Sequence, residues 1–229
     1  MSSSQIPQTL TEINREHFNI QAATYDSGIR VTIAEKCVKA ILEEFGHSSS
    51  TDNDDDDKQE TAASEEQEHS DGVGFLDEDK TQVLDFACGT GLISQFLLPY
   101  VHSILGVDTS QGMVNVYNQK SWRQGLIKDE MQAICVDLLN EEGEDPLNGR
   151  RFDLIVCSSS YHHLEDIKSA TKTLATYLKP GTAFESSGGL LENVTVRTAF
   201  SFKKLIKSEG VEREFEYLLA KGRRSELVE

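Results

Sequence analysis

The sequence has no run of about 18 apolar residues, which excludes a membrane-spanning helix. It has no cationic excess. Against 39 Asp and Glu stand 22 Lys and Arg, a net charge of −17, so the chain lacks the basic face expected of a nucleic-acid binder. It has four cysteines (Cys37, Cys88, Cys135, Cys157) but no CxxC pair. Widely spaced among apolar neighbours, they read as reduced, buried thiols rather than a disulfide framework or a zinc site. Aromatic residues are only 7% of the 229, and there is one tryptophan. The N-terminus, MSSSQIPQTL, has no basic cluster followed by an apolar stretch and does not read as a secretory signal. A cytoplasmic protein is expected, with the nucleus left open.

The charge is unevenly spread. Between His47 and Lys80 there are 13 acidic residues and two lysines, a net −11. Residues 47–74 are almost free of apolar side chains. Such a segment buries too little surface to offset the entropy of ordering it. The expected organisation is a helical N-terminal cap over 1–46, an acidic and largely disordered insertion over 47–80, and a core over 81–229 that forms one domain with the cap. The insertion could attract a basic protein partner.

From residue 81 short apolar runs alternate with helical patterns. TQVLDFA (81–87), SILGVD (103–108), MQAICVD (131–137) and RFDLIVCSS (151–159) read as strands. GLISQFLLPYV (91–101), residues 109–124 and residues 165–178 read as helices, as does 28–46 before the insertion. The strand runs are continuously apolar, as parallel strands covered on both faces must be. The fold class is therefore α/β, a doubly wound, mostly parallel sheet.

The chemistry concentrates at VLDFACGTG (83–91). A strand ending in an acid meets a turn of small residues that opens a helix. Gly89 and Gly91 let the backbone bend sharply and come close to a ligand. The helix beyond offers unpaired N–H groups to an anion. Asp108 ends the next strand, where a carboxylate can accept both hydroxyls of a ribose. A dinucleotide site is the rival for this turn, but GTGLIS lacks the third small residue that brings helix and strand together.

In this stretch the sequence resembles the first motif of class I S-adenosylmethionine-dependent methyltransferases, with Ala87 in place of the first glycine. GVDTS (106–110), Val136-Asp137, FDLIVCSSSYHHLED (152–166) and YLKPGT (177–182) resemble the later motifs, in order. FNIQAATYD (18–26) resembles the segment preceding such domains in the ubiquinone/menaquinone-biosynthesis type. The resemblance implies a seven-stranded-type sheet with S-adenosyl-L-methionine as cofactor. It places Asp85 and the turn Ala87, Cys88, Gly89 and Gly91 at the methionine moiety, and Asp108 at the ribose. Thr109 and Met113 would flank the adenine, Asp137 would meet its amino group with Leu138 alongside, and Ser158 would line the pocket. Tyr25 would close over the cofactor.

His162 and His163 follow the fourth strand, on the edge where α/β sheets bind ligands. Imidazole titrates near neutrality, so His162 is a candidate general base, with Tyr161 a weaker one. No third ligand accompanies the pair, so no metal is expected. Cys88 is not expected to act as a nucleophile, because methyl transfer needs no covalent enzyme intermediate. The small capping region suits a small-molecule acceptor. The alternatives are a protein acceptor, or a non-catalytic protein that keeps the fold. After Pro180 the pattern is irregular. Residues 199–210 read as a helix and 212–222 as one strand, leaving the closing hairpin abbreviated or remodelled.

Overall fold

A computed structural model describes residues 9–46, 76–140, 145–184, 191–206 and 211–224. Residue 162 and those from 180 onward are described by their backbone. The acidic stretch 47–75 lies outside the described residues.

Two helices precede the sheet: α1 (Leu10–Gln21), followed by a short 3-10 turn, and α2 (Ile29–Phe45). Thr9 and Glu12 form a reciprocal cap at the start of α1. Gly46 ends α2, its N–H donating to the Leu42 carbonyl at 3.0 Å. The chain re-enters beside this point, where the Leu76 amide reaches the Gly46 carbonyl at 3.4 Å. Leu76 itself is buried among Phe45, Val83 and Leu97. The described structure therefore resumes at Leu76, inside the 47–80 stretch.

Strands β1 (Gln82–Phe86), β2 (Ser103–Asp108), β3 (Met131–Cys135), β4 (Phe152–Val156) and β5 (Leu178–Phe184) are all parallel, in the order β3-β2-β1-β4-β5. Helices α3 (Leu92–Leu97), α4 (Gln111–Arg123) and α5 (Ile167–Thr176) connect them. Neighbouring residues of one strand face different layers. Val83 and Ile104 pack with α2 and α3, while Leu84 and Leu105 pack with Leu174 of α5. Both faces are covered, which is why these strands are continuously apolar. Side-chain caps set the starts of α4, where Ser110 accepts from Met113 N at 3.2 Å, and α5, where Asp166 accepts from Ser169 N at 3.0 Å.

The C-terminal expectation needs correction. Residues 191–206 form β6 and 211–224 form β7, an antiparallel hairpin that joins the sheet through β7 against β5. The helix expected over 199–210 is a strand as far as residue 206. The alternation of Val194, Val196, Thr198, Phe200 and Phe202 suits a pleated ribbon, and its partner strand satisfies the backbone groups. The hairpin is accordingly present rather than abbreviated. Among the described residues no helix is long and apolar enough to cross a membrane.

The chain runs outward from β1 to β3, then crosses back to β4. The crevice at this reversal, above the carboxyl ends of β1 and β4, is where open α/β sheets bind ligands.

Candidate functional site

Two neighbouring cavities, of about 550 and 580 Å3, occupy that crevice. Both touch the turn after β1 (Ala87, Gly89), the loop after β4 (Ser159, Ser160, His163), and Phe18 and Tyr25 from the N-terminal segment. One lies on the Asp85 side, with Cys88, Thr90, Ser158 and Arg30 also in its wall. The other lies on the β2–β3 side, lined by Asp108, Thr109, Met113 and Asp137.

The turn between them owes its shape to three left-handed residues: Ala87 (φ 55), Gly89 (φ 53) and Gly91 (φ 81). The glycines have different neighbours. A Cβ on Gly89 would meet no heavy atom within 4 Å, whereas one on Gly91 would stand 2.5 Å from the Tyr117 ring. Gly91 thus lets α3 start directly over Tyr117, and Gly89 leaves open space against both cavities. Gly106 clears the same ring from below, since its Cβ would lie 2.9 Å from it.

Two carboxylates flank the turn, Asp85 buried and Asp108 half-buried. Asp85 is 2% exposed and accepts a hydrogen bond from Ser94 Oγ at 2.7 Å. Burial, with a smaller push from Asp108, raises its pKa to about 7 despite that bond. Asp108 spans the gap between strands, accepting Gly89 N at 2.9 Å and Ser110 N at 2.8 Å. Burial raises its pKa too, opposed by those amides. Each Asp108 oxygen retains lone-pair capacity for a further donor. The Cys88 thiol is pushed well above its usual range by burial and stays protonated.

The N-terminal segment closes the crevice. The Asn19 side-chain oxygen accepts Gly112 N and Ser110 Oγ, both at 2.8 Å. Asn14 donates to the His163 carbonyl at 3.2 Å, and Leu10 N donates to Glu165. Phe18 stands edge-on to Tyr25 (6.2 Å) and to His163 (5.3 Å). Arg30 lies over the Tyr25 ring at 4.5 Å. Asp26 accepts from the Thr90 hydroxyl and pairs with Lys120.

Residues 84–184 match the sequence family described as a methyltransferase domain. An uncharacterized methyltransferase of Schizosaccharomyces pombe is 35% identical over 173 residues, covering 73% of this chain and 61% of that protein. A ubiquinone biosynthesis O-methyltransferase of Coxiella burnetii is 30% identical over 99 residues, 43% of this chain and 39% of that one. Among solved structures, the magnesium protoporphyrin IX methyltransferase of Synechocystis with bound S-adenosylmethionine shares the fold, at TM-score 0.58 and 13% identity, over 96% of this chain and 100% of that one. Residues 84–184 are a methyltransferase domain with the fold of class I S-adenosylmethionine-dependent methyltransferases. The chain spans about three fifths or less of the length of these curated relatives.

Within this methyltransferase domain, most of the residues singled out from sequence converge on the crevice. Tyr25, Ala87 and Gly89 line both cavities, Asp85, Cys88 and Ser158 one, and Asp108, Thr109, Met113 and Asp137 the other. Gly91 lines neither and shapes the turn from behind. The Leu138 side chain is not brought to the crevice: it is 3% exposed and packs in the core with Leu147 and Phe152. Tyr161 is directed at α5, its hydroxyl 3.3 Å from Thr171 Oγ1. His162 lies in the 3-10 turn after β4, and the neighbouring His163 lines both cavities. Sequence reasoning passed over Phe18, Asn19, Asp26, Arg30 and Lys120. The FNIQAATYD segment was the available signal for the first three; nothing local marks Arg30 or Lys120.

Proposed function

We propose that this chain transfers a methyl group from S-adenosyl-L-methionine to a small-molecule acceptor. The observation that carries this reading is the pair of cavities meeting at Gly89, with the buried Asp85 on one side and the half-buried Asp108 on the other. The cradle fits a charged sulfur nucleoside. The space a Cβ at position 89 would take is free, Asp108 has spare acceptor capacity for ribose hydroxyls, and Asp85 offers a negative partner to an ammonium or sulfonium.

Asp108 and Met113 would hold the nucleoside, with Thr109 and Asp137 at the adenine. Asp85, the turn amides and Ser158 would hold the amino-acid end. Arg30 is the cation best placed to meet its carboxylate. When bound, the cofactor supplies a methyl group already activated on a positive sulfur. The residues of this chain then contribute orientation, for which up to ~7–11 kcal/mol is available in well-aligned cases, and exclusion of water by the N-terminal segment. His163, in the wall of both cavities, and His162 beside it are candidates to take a proton from an acceptor that loses one.

Calorimetric titration with S-adenosylmethionine and S-adenosylhomocysteine tests the first half. Binding in the micromolar range is expected, and no heat with either ligand would remove the reading. Incubation with methyl-labelled cofactor and a cell lysate, resolved by size, tests the second. Label in the small-molecule fraction is expected. Label in protein would transfer the reading to a protein acceptor.

A further inference from the structure

We propose that Lys120 is a positioning residue that latches the N-terminal segment over the glycine turn and so sets how long a ligand stays in the crevice. In its second readout this rests on the cofactor reading above.

Helix α1 has no buried residue, yet it walls both cavities. Leu10 and Ile13 are 41% and 49% exposed, and Ile20 84%. Apolar seating of this helix is confined to the half-buried Phe18, edge-on to the His163 ring at 5.3 Å. Polar contacts help to hold it, and three places carry those between the segment and the turn, α4 and the loop after β4. Asn19 meets the start of α4, Asn14 and Leu10 meet the loop after β4, and Asp26 meets the glycine turn. Of these three, the contact at Asp26 is the one that carries a fully charged pair. Lys120 Nζ pairs with the Asp26 carboxylate and also donates to the Thr90 carbonyl at 2.8 Å. The other Asp26 oxygen accepts from the Thr90 hydroxyl. Side chains of Lys120 and Asp26 are 20% and 25% exposed, so the pair is shielded from solvent more than an ordinary surface pair.

Charge explains why a cation is required there. The turn is already flanked by Asp108 and by Asp85, which adds a second negative charge once it ionises near pH 7. A third carboxylate, carried in by the lid at Asp26, would be repelled as it closed. The Lys120 ammonium neutralises it and ties it to the backbone of Thr90, one residue from Gly89 and Gly91. Opening the lid breaks this contact together with the Asn19 and Asn14 bonds. The ligand is freed only when all of them let go.

Lys120→Met keeps the length of the side chain and removes the charge. In the ligand-free protein, amides of residues 10–26 should exchange hydrogen roughly tenfold faster, about 1.4 kcal/mol of opening free energy, while those of β1 and β4 keep their rates. Release of S-adenosylhomocysteine should quicken by a similar factor. Lys120→Arg should restore both. Asp26→Asn with Lys120→Met should be no worse than Asp26→Asn alone, since the two act as one contact. Unchanged exchange over residues 10–26 in both Lys120→Met and Asp26→Asn overturns the latch, as does strict additivity of the pair. If the wild-type chain binds no S-adenosylhomocysteine, the cofactor reading fails, and exchange over residues 10–26 alone decides whether the latch exists.

Discussion

Asp108, the last residue of β2, accepts the amide of Gly89 at 2.9 Å and so ties the end of one strand to the turn leaving the next. The same carboxylate caps the start of the following loop through Ser110 N. One side chain therefore holds the floor of the crevice and faces into it.

Removing that carboxylate should damage ligand binding more than folding. Asp108→Ala leaves two amides without their acceptor, a cost of about 1–3 kcal/mol. It also removes the group proposed to meet the ribose. Calorimetry should show a loss of S-adenosylmethionine affinity of at least tenfold while thermal unfolding remains cooperative. Wild-type affinity would detach the ribose from this residue.

The two glycines of the turn should separate stability from binding. Gly91→Ala drives a Cβ to 2.5 Å from the Tyr117 ring, in a left-handed backbone, and should cost roughly 2–4 kcal/mol as overpacking adds to strain. Gly89→Ala meets no protein atom and should cost only about 1–2 kcal/mol for its φ of 53, but its methyl enters the crevice. Urea unfolding should rank Gly91→Ala as the weaker fold, and cofactor titration should show a large loss in Gly89→Ala.

Asp85 makes stability fall with rising pH. Its folded pKa of about 7 lies above the ordinary carboxylate value of 3.8, so the folded state holds its proton where the unfolded state has lost it. The stability this confers is complete below about pH 4 and is lost as pH rises through 7, with a slope on the order of 1.4 kcal/mol per pH between those values. Asp85→Asn should flatten that slope between pH 5 and pH 8 in denaturant titrations. A cationic ligand beside Asp85 favours the ionised form, so binding near pH 7 should release a proton. Calorimetry in buffers of different ionisation enthalpy reads this directly, and buffer-independent heats would contradict it.

The segment 47–75 should be dispensable for the cradle. Its flanks meet where Leu76 N reaches the Gly46 carbonyl, so a few Gly and Ser residues can bridge them. Each halving of a closed loop lowers its entropy cost by about 0.6 kcal/mol, so the shortened chain should unfold slightly later, with unchanged cofactor affinity. A large loss of affinity would show that the segment contributes to the crevice.

Much of this was legible in the residues because it is local. The apolar runs of β1, β2 and β4, the small-residue turn 87–91 and the acid ending β2 are set by neighbours a few positions apart. So is the cap at Ser110. Residues 199–206 were misread because Ala199, Phe202, Leu205 and Ile206 satisfy a helical spacing, while Val196, Thr198, Phe200 and Phe202 satisfy a pleated one. Pairing with β7 favoured the strand.

The sequence by itself determined the order of the elements from α2 to α5, the bend that shapes the crevice and the placement of Asp85 and Asp108, because strand patterning and turn chemistry act over short distances along the chain. Tertiary structure alone decided that Asn19 meets Gly112, that Asp26 meets Thr90 and Lys120, that His163 lines the cavities beside Phe18 and that Leu138 turns into the core. Contacts such as Asn19 with Gly112 and Asn14 with His163 join residues 93 and 149 positions apart, and they exist only once the sheet has brought their elements together.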